Sequence, residues 1–172
     1  MENYYAEILC SLAAAQVRFV IAGGVAVVLH GVERMTLDVD VALDMEPENV
    51  ARFVAVMKQL GLAPRVPVPH DFIVDPDNVR RIVEEKNALV FTYIDVSNPL
   101  RQVDLFLTRE HSFSTLIEDS DTVVLRGETI AIASIPALLR MKRSVQPPRP
   151  KDLHDIAELE SRLLSGGSDE SK

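Results

Sequence analysis

Residues 37–43, LDVDVAL, alternate apolar and acidic side chains before turning wholly apolar, and this stretch limits the possible folds more than any other. Side chains two apart in a strand point the same way, so Asp38 and Asp40 share one face, and Leu37, Val39 and Val41 are expected to face the core. Two carboxylates side by side repel, and burying a lone one costs several kcal/mol or makes it take up a proton. The strand must therefore leave its acidic face wet, as an edge strand does, or offer the pair to a cation. Ligation by oxygen alone favours Mg²⁺ or Mn²⁺, which commonly sit on one or two carboxylates plus substrate phosphates.

Two further features bear on that choice. Gly23-Gly24 follows the apolar run RFVIA and opens GGVAVVLHG, so it lies between a predicted strand and a predicted helix. A Gly-Gly pair is an ordinary turn, but there it also lets backbone approach a phosphate while the first helix amides point at the anion. One short helix and a turn separate it from the acids, which brings the two strand ends side by side. Asp104 stands alone among apolar residues in RQVDLFL. It reads either as an edge-strand acid or, if its strand pairs with that of Asp38, as a third carboxylate. Three carboxylates can hold two metal ions, one activating an attacking hydroxyl and one steadying a triphosphate and its leaving group.

The rest of the chain frames these residues. YYAEILCSLAAAQ has helical spacing, EPENVARFVAVMKQLG reads as a helix with Pro47 in its first turn, and DNVRRIVEEKN looks helical. ALVFTYIDV and RQVDLFLT read as strands, while the prolines of PRVPVPHDFIVDP argue against a regular element. DTVVLRGETIAIAS suggests a hairpin about RGE, Ser134 is placed to cap the helix SIPALLRMKRSV, and PKDLHDIAELESRLL is the last helix. Strands and helices mixed in this way, with one hairpin, predict an α+β or mixed α/β fold: a mixed sheet flanked by helices, with helices at the C-terminus. A single domain over 1–164 and a frayed tail over 165–172 are expected from the 172-residue length and from SGGSDESK.

Composition narrows the function classes. The longest apolar runs fall short of a membrane span and MENYYAE is not a signal peptide, so a cytoplasmic protein without membrane contact is expected. One cysteine, Cys10, excludes an intrachain disulfide and reads as a packed thiol. The net charge of -8 argues against diffuse adhesion to nucleic acid. A local basic cluster, Arg140, Lys142, Arg143, Arg149 and Lys151, reads either as a solvated face or as a backbone contact for nucleic acid. His30 reads as a capping or packing side chain, and Asp44 as part of the entry to the following helix.

The block GGVAVVLHGVERMTLDVD resembles the Gly-Gly, His-Gly, Arg-x-Thr-x-Asp-x-Asp signature of the DNA polymerase beta-type nucleotidyltransferases, closest to the small bacterial AbiEii-like branch, several of which are toxins of toxin–antitoxin pairs. The tail LLRMKRSVQPPRPKDLHDIAELE is similar to the lysine, basic loop and Lys-Asp-x-x-Asp ending of such proteins, whereas residues 64–96 carry nothing diagnostic. The resemblance implies the nucleotidyltransferase fold and metal-dependent transfer of an NMP from an NTP such as ATP to a hydroxyl, with Mg²⁺ or Mn²⁺ as cofactor. The acceptor it allows includes the 3′ end of tRNA, and an antitoxin is a candidate partner. It further implies that Asp38, Asp40 and Asp104 hold the metals, with Asp104 the general base. Gly23 and Gly24 would contact the phosphates and Lys142 would meet the triphosphate. Arg34 is placed to reach a phosphate, and Thr36 to shape the loop before the acids. The alternative is a non-catalytic nucleotide-binding or regulatory module on the same fold.

Overall fold

The computed structural model describes residues 4–166. Helix α1 (Tyr4–Ala14) leads into strand β1 (Phe19–Ala22), whose four side chains are all buried. Gly23 then takes a left-handed φ of +57°, which turns the chain directly into helix α2 (Gly23–Leu29). His30 caps that helix, and its Nε2 lies 2.8 Å from the carbonyl of Ala133, a packing role that agrees with its sequence context. Strand β2 (Asp38–Leu43) returns antiparallel to β1 with Ala22 opposite Asp40.

Helix α3 (Pro47–Gln59) starts at Pro47 as expected and ends before Gly61, which adopts φ +73°. Beyond it lies a short strand, β3 (Leu62–Pro64), that its proline and length concealed in the sequence. Helix α4 (Pro76–Lys86), strand β4 (Val90–Asp95) and strand β5 (Gln102–Phe106) follow, the helix capped by the side chain of Asp75. A five-residue helix, α5 (Phe113–Ile117), joins β5 to the next strand where the sequence carries no helical pattern. The hairpin of β6 (Ser120–Leu125) and β7 (Glu128–Ala133) turns through Arg126 and Gly127, both at positive φ. That pair of angles matches the twist of a two-residue hairpin.

Helix α6 (Ile135–Arg143) is capped by the Ser134 hydroxyl, which accepts from the Ala137 amide at 3.2 Å. Helix α7 (Pro150–Gly166) extends two residues into the segment read as a tail; residues 167–172 lie outside the described residues. No helix among the described residues is long and apolar enough to cross a membrane.

The strands form one sheet in the order β3-β4-β5-β2-β1-β7-β6. The β2–β5 and β1–β7 pairs are parallel and the others antiparallel, giving the mixed sheet that the sequence predicts. Val39, Val41, Val103, Leu105, Phe91 and Tyr93 are buried on one face of the central strands. Each fully buried apolar side chain contributes about 1.5–3 kcal/mol, and together they fix the pleat that sends the intervening acids to the opposite face. Leu37 departs from expectation: β2 begins only at Asp38, and Leu37 is 45% exposed at the mouth of a cleft.

Candidate active site

The parallel register of β2 and β5 sets Asp40 opposite Asp104 and Asp38 opposite Gln102. Asp104 in turn faces Thr92 across the β5–β4 pair. Ala22, Asp40, Asp104 and Thr92 therefore form one row across four strands, and Gly23 begins α2 at its end. One carboxylate oxygen from each of Asp38, Asp40 and Asp104 lies within 4.8 Å of the others. Among the described residues none of the three is in an ion pair.

The electrostatics follow from that crowding. Burial, then the charges of Asp38 and Asp104, push the Asp40 carboxyl up to about 7, against the opposing Gly24 amide and Lys142 charge. Burial also raises Asp104, while the Thr92 hydroxyl, donating at 2.5 Å, and the Gln102 amide, donating at 3.3 Å, hold its charged form. A hard divalent cation relieves both the repulsion and the raised proton affinity, and three carboxylates in reach of one point are its preferred donors. The three residues thus fit a Mg²⁺ or Mn²⁺ ion.

The two glycines have a tighter geometry than a turn requires. A Cβ on Gly23 would lie 1.8 Å from Oδ2 of Asp40, and one on Gly24 would lie 2.4 Å from Oγ1 of Thr36. Thr36 also reaches forward to the Asp38 carboxylate, donating at 3.3 Å. The strand–helix turn and the acids are consequently one packed unit.

Next to the acids, α6 and α7 supply a buried ion network whose Lys142 and Arg149 act on them electrostatically. Lys142, 8% exposed, pairs with Asp155 at 2.5 Å and with Asp152 at 3.6 Å. Asp155 also binds Arg34 at 2.5 Å, and Arg149 binds Asp152 at 2.5 Å. Burial works to raise Asp152, but Arg149, Lys142 and Lys151 outweigh it and keep its carboxyl below the usual range. Arg149 is held above its ordinary value by Asp152 first, with the Asp40 and Asp38 charges adding to the effect, which sets its guanidinium in the field of the acids.

The basic cluster divides in three dimensions. Arg140 pairs with Asp119 and Arg143 with Glu160, whereas Lys151 joins Arg34, Thr36, Asp38 and Gln102 in lining a cleft of about 410 Å³. Met35, Leu37 and Leu100, all exposed, give that cleft an apolar lip.

Several side chains at the site carry no signal in the sequence. Tyr4 donates to the Thr36 carbonyl at 3.4 Å, and its hydroxyl is pushed up to about 12 by burial and then by Asp38 and Asp40. Thr92 and Gln102 are brought in by strand register, and Arg65, just past β3, by its amide on the Thr92 carbonyl, its guanidinium donating to Gln102 at 3.4 Å. Asp44 remains outside the cluster, bound to Arg18 and to the Glu46 amide, as its place before α3 suggests. Cys10 is half-buried, its Sγ 3.4 Å from the Leu125 carbonyl oxygen.

The fold is that of the nucleotidyltransferases. A lincosamide antibiotic adenylyltransferase, LnuA, solved with lincomycin bound, superimposes with a TM-score of 0.63 at 16% identity, over 94% of this chain and 98% of its own. The antibiotic-resistance factor ANT(2'')-Ia gives 0.59 at 15% identity, over 95% and 86%. An antigenic nucleotidyltransferase-like protein from Paracoccidioides brasiliensis gives 0.55 at 16%, over 95% and 87%. No curated protein sequence matches the chain significantly. Residues 7–170 match the family described as nucleotidyl transferase AbiEii toxin of type IV toxin–antitoxin systems, and the chain belongs to that family.

Proposed function

We propose that the protein transfers a nucleoside monophosphate from an NTP to a hydroxyl of an RNA acceptor such as the 3′ end of tRNA, in the cytoplasm and as the toxin of a pair with an antitoxin. The observation that carries this reading is the convergence of Asp38, Asp40 and Asp104 within 4.8 Å beside the Gly23-Gly24 turn. Mg²⁺ or Mn²⁺ held by those carboxylates, in a two-ion arrangement, would neutralise the triphosphate and acidify the attacking hydroxyl. Gly23 and Gly24 offer backbone to the phosphates, and Arg34 and Lys142 are the cations that meet the triphosphate, both presented by Asp155. Asp104 takes the proton of the acceptor hydroxyl. The new oxygen–phosphorus bond forms at the α-phosphate as the bond to the β-phosphate bridge breaks, and pyrophosphate leaves. Positioning and charge stabilisation do most of the work in such transfers.

The test is incubation with each labelled NTP, Mg²⁺ or Mn²⁺, and total cellular RNA, alongside Asp38→Ala and Asp40→Ala variants. Label should enter RNA with the parent chain and with neither variant. Full transfer by either variant overturns the mechanism. Label entering added lincosamide or aminoglycoside instead of RNA would move the acceptor to the small-molecule class named for LnuA and its kind.

A further inference from the structure

The cleft of about 410 Å³ continues past the acids on both sides. At one end are Arg34 and Thr36, packed so closely on Gly24 that an added Cβ would fall 3.3 Å from the Arg34 guanidinium. At the other are Pro99 and Leu100, in the turn between β4 and β5, and Gln102, which opens β5. The strand order β1-β2-β5 sets these ends on opposite sides of Asp38, which lines the cleft between them. Gln102 is the register partner of Asp38, shares its face of β5 with Asp104 and donates to the Asp104 carboxylate at 3.3 Å.

In the reading above, on which this inference rests, the triphosphate lies against Gly23, Gly24 and Arg34, so pyrophosphate leaves toward the β1 side. An in-line displacement brings the attacking hydroxyl from the opposite side. That side is the Leu100 end of the cleft, and Asp104, which takes the proton, stands on the strand that forms it.

The chemistry of that end identifies the occupant. Leu100 is 59% exposed and Leu37 45%, and with Met35 they offer apolar contact to a flat ring. Lys151 lines the same cleft in a chain of net charge -8, and among the described residues it is in no ion pair. A neutral or cationic acceptor would leave that ammonium unanswered, whereas a base carried on a phosphodiester chain meets both the lip and the charge. Gln102 brings the side-chain amide that could read a base edge, but both its ends are engaged: Nε2 donates to Asp104, and Oε1 accepts from the Arg65 guanidinium at 3.4 Å. The base is therefore held by contact and not read by hydrogen bonds.

We propose that the Leu100 end of the cleft seats the terminal nucleotide of a single-stranded RNA 3′ end without selecting its base. The base lies against Leu37 and Leu100, Lys151 meets the phosphate that precedes it, and the ribose hydroxyl faces Asp104. A 3′ nucleotide inside a duplex keeps its base paired and stacked and does not enter.

The test uses the full chain with Mg²⁺, the α-labelled NTP best transferred to total RNA, and four eight-residue oligoribonucleotides that differ only in the last base. One of them is also paired with its complement as a blunt duplex. Rates on the four strands should agree within about fivefold, and the blunt duplex should react at least about tenfold more slowly. Met35→Ala/Leu100→Ala alters two exposed positions outside any helix or strand. It should raise the KM for the strands at least about fivefold and leave the KM for the NTP within about twofold. A wider spread among the four bases, equal use of the blunt duplex, or a double variant that weakens the NTP and spares the strands overturns the subsite. Label that enters total RNA but none of the oligonucleotides overturns it too, with nucleotidyl transfer left standing. Label that enters no RNA at all overturns the RNA-acceptor reading on which the subsite rests.

Discussion

Gly23 and Asp40 occupy space that only a hydrogen at the Gly23 Cα permits: an added Cβ would fall 1.8 Å from Oδ2 and 2.6 Å from Cγ of the carboxylate. The glycine is therefore required by the protein's own acid before any phosphate arrives. Its φ of +57° adds a second demand, since an L side chain there costs about 1–2 kcal/mol.

Gly23→Ala should consequently displace Asp40 and not merely strain a turn. We expect transfer to fall by at least about 100-fold, the scale of a lost transition-state contact, with a Tm drop of several degrees. Thermal melts and labelled-NTP assays check both. A Gly23→Ala enzyme that kept its rate would show that Asp40 does not need its observed position.

Asp40 makes folding stability depend on pH in a chelated sample. Its carboxyl titrates at about 7 in the native protein and near 3.9 when unfolded, so between those values the native state holds the extra proton. Stability is then lost as pH rises from about 4 through 7. Asp40→Asn removes this loss. In EDTA it should be more stable than the parent at pH 8, by up to a few kcal/mol in denaturant melts, and the gap should close near pH 4. Added Mg²⁺ should raise the parent's Tm and leave the variant's unchanged.

Asp155 binds both Arg34 and Lys142, and its second oxygen, Oδ1, is buried without a hydrogen-bond partner. Removing its charge leaves a buried ammonium short of its nearest anion. Asp155→Asn should lose about 3 kcal/mol, while the pair Lys142→Met/Asp155→Leu should lose less than the sum of its two single changes. Denaturant melts of the four proteins complete the cycle, and simple additivity would refute the coupling.

The basic cluster should behave as two parts. Arg143 is engaged with Glu160 away from the acids, and Lys151 lines the acid cleft. With an RNA acceptor, Lys151→Glu should cut the rate about tenfold or more and flatten its salt dependence by about one charge, while Arg143→Glu stays within about threefold. Equal effects of the two reversals would point to a diffuse contact instead.

Local pattern carried much of this protein's sequence. The Asp-Val-Asp alternation, the Gly-Gly turn, the Pro47 and Ser134 starts and the RGE hairpin are short-range features, set by side-chain period and backbone stereochemistry, and each appears in the fold near its expected place. MTLDVDVAL reads as strand from Met35, but β2 begins three residues later, at Asp38, which turns Leu37 from an expected core residue into cleft lip. β3 and α5 are not legible in the sequence because three to five residues hold too little periodicity.

The union of Asp104 with Asp38 and Asp40 depends on the parallel register of two strands whose order in the sheet does not follow the chain, a choice made by the whole core. The same is true of Thr92 and Arg65 beside Asp104, of Tyr4 against Thr36, and of the acids on α7 that hold Lys142. Sequence by itself determined which residues carry unusual chemistry, because a misplaced charge or a required glycine is visible where it stands. Only the tertiary structure decided which of them meet, because strand register and helix docking are fixed by apolar contacts between segments far apart in the chain.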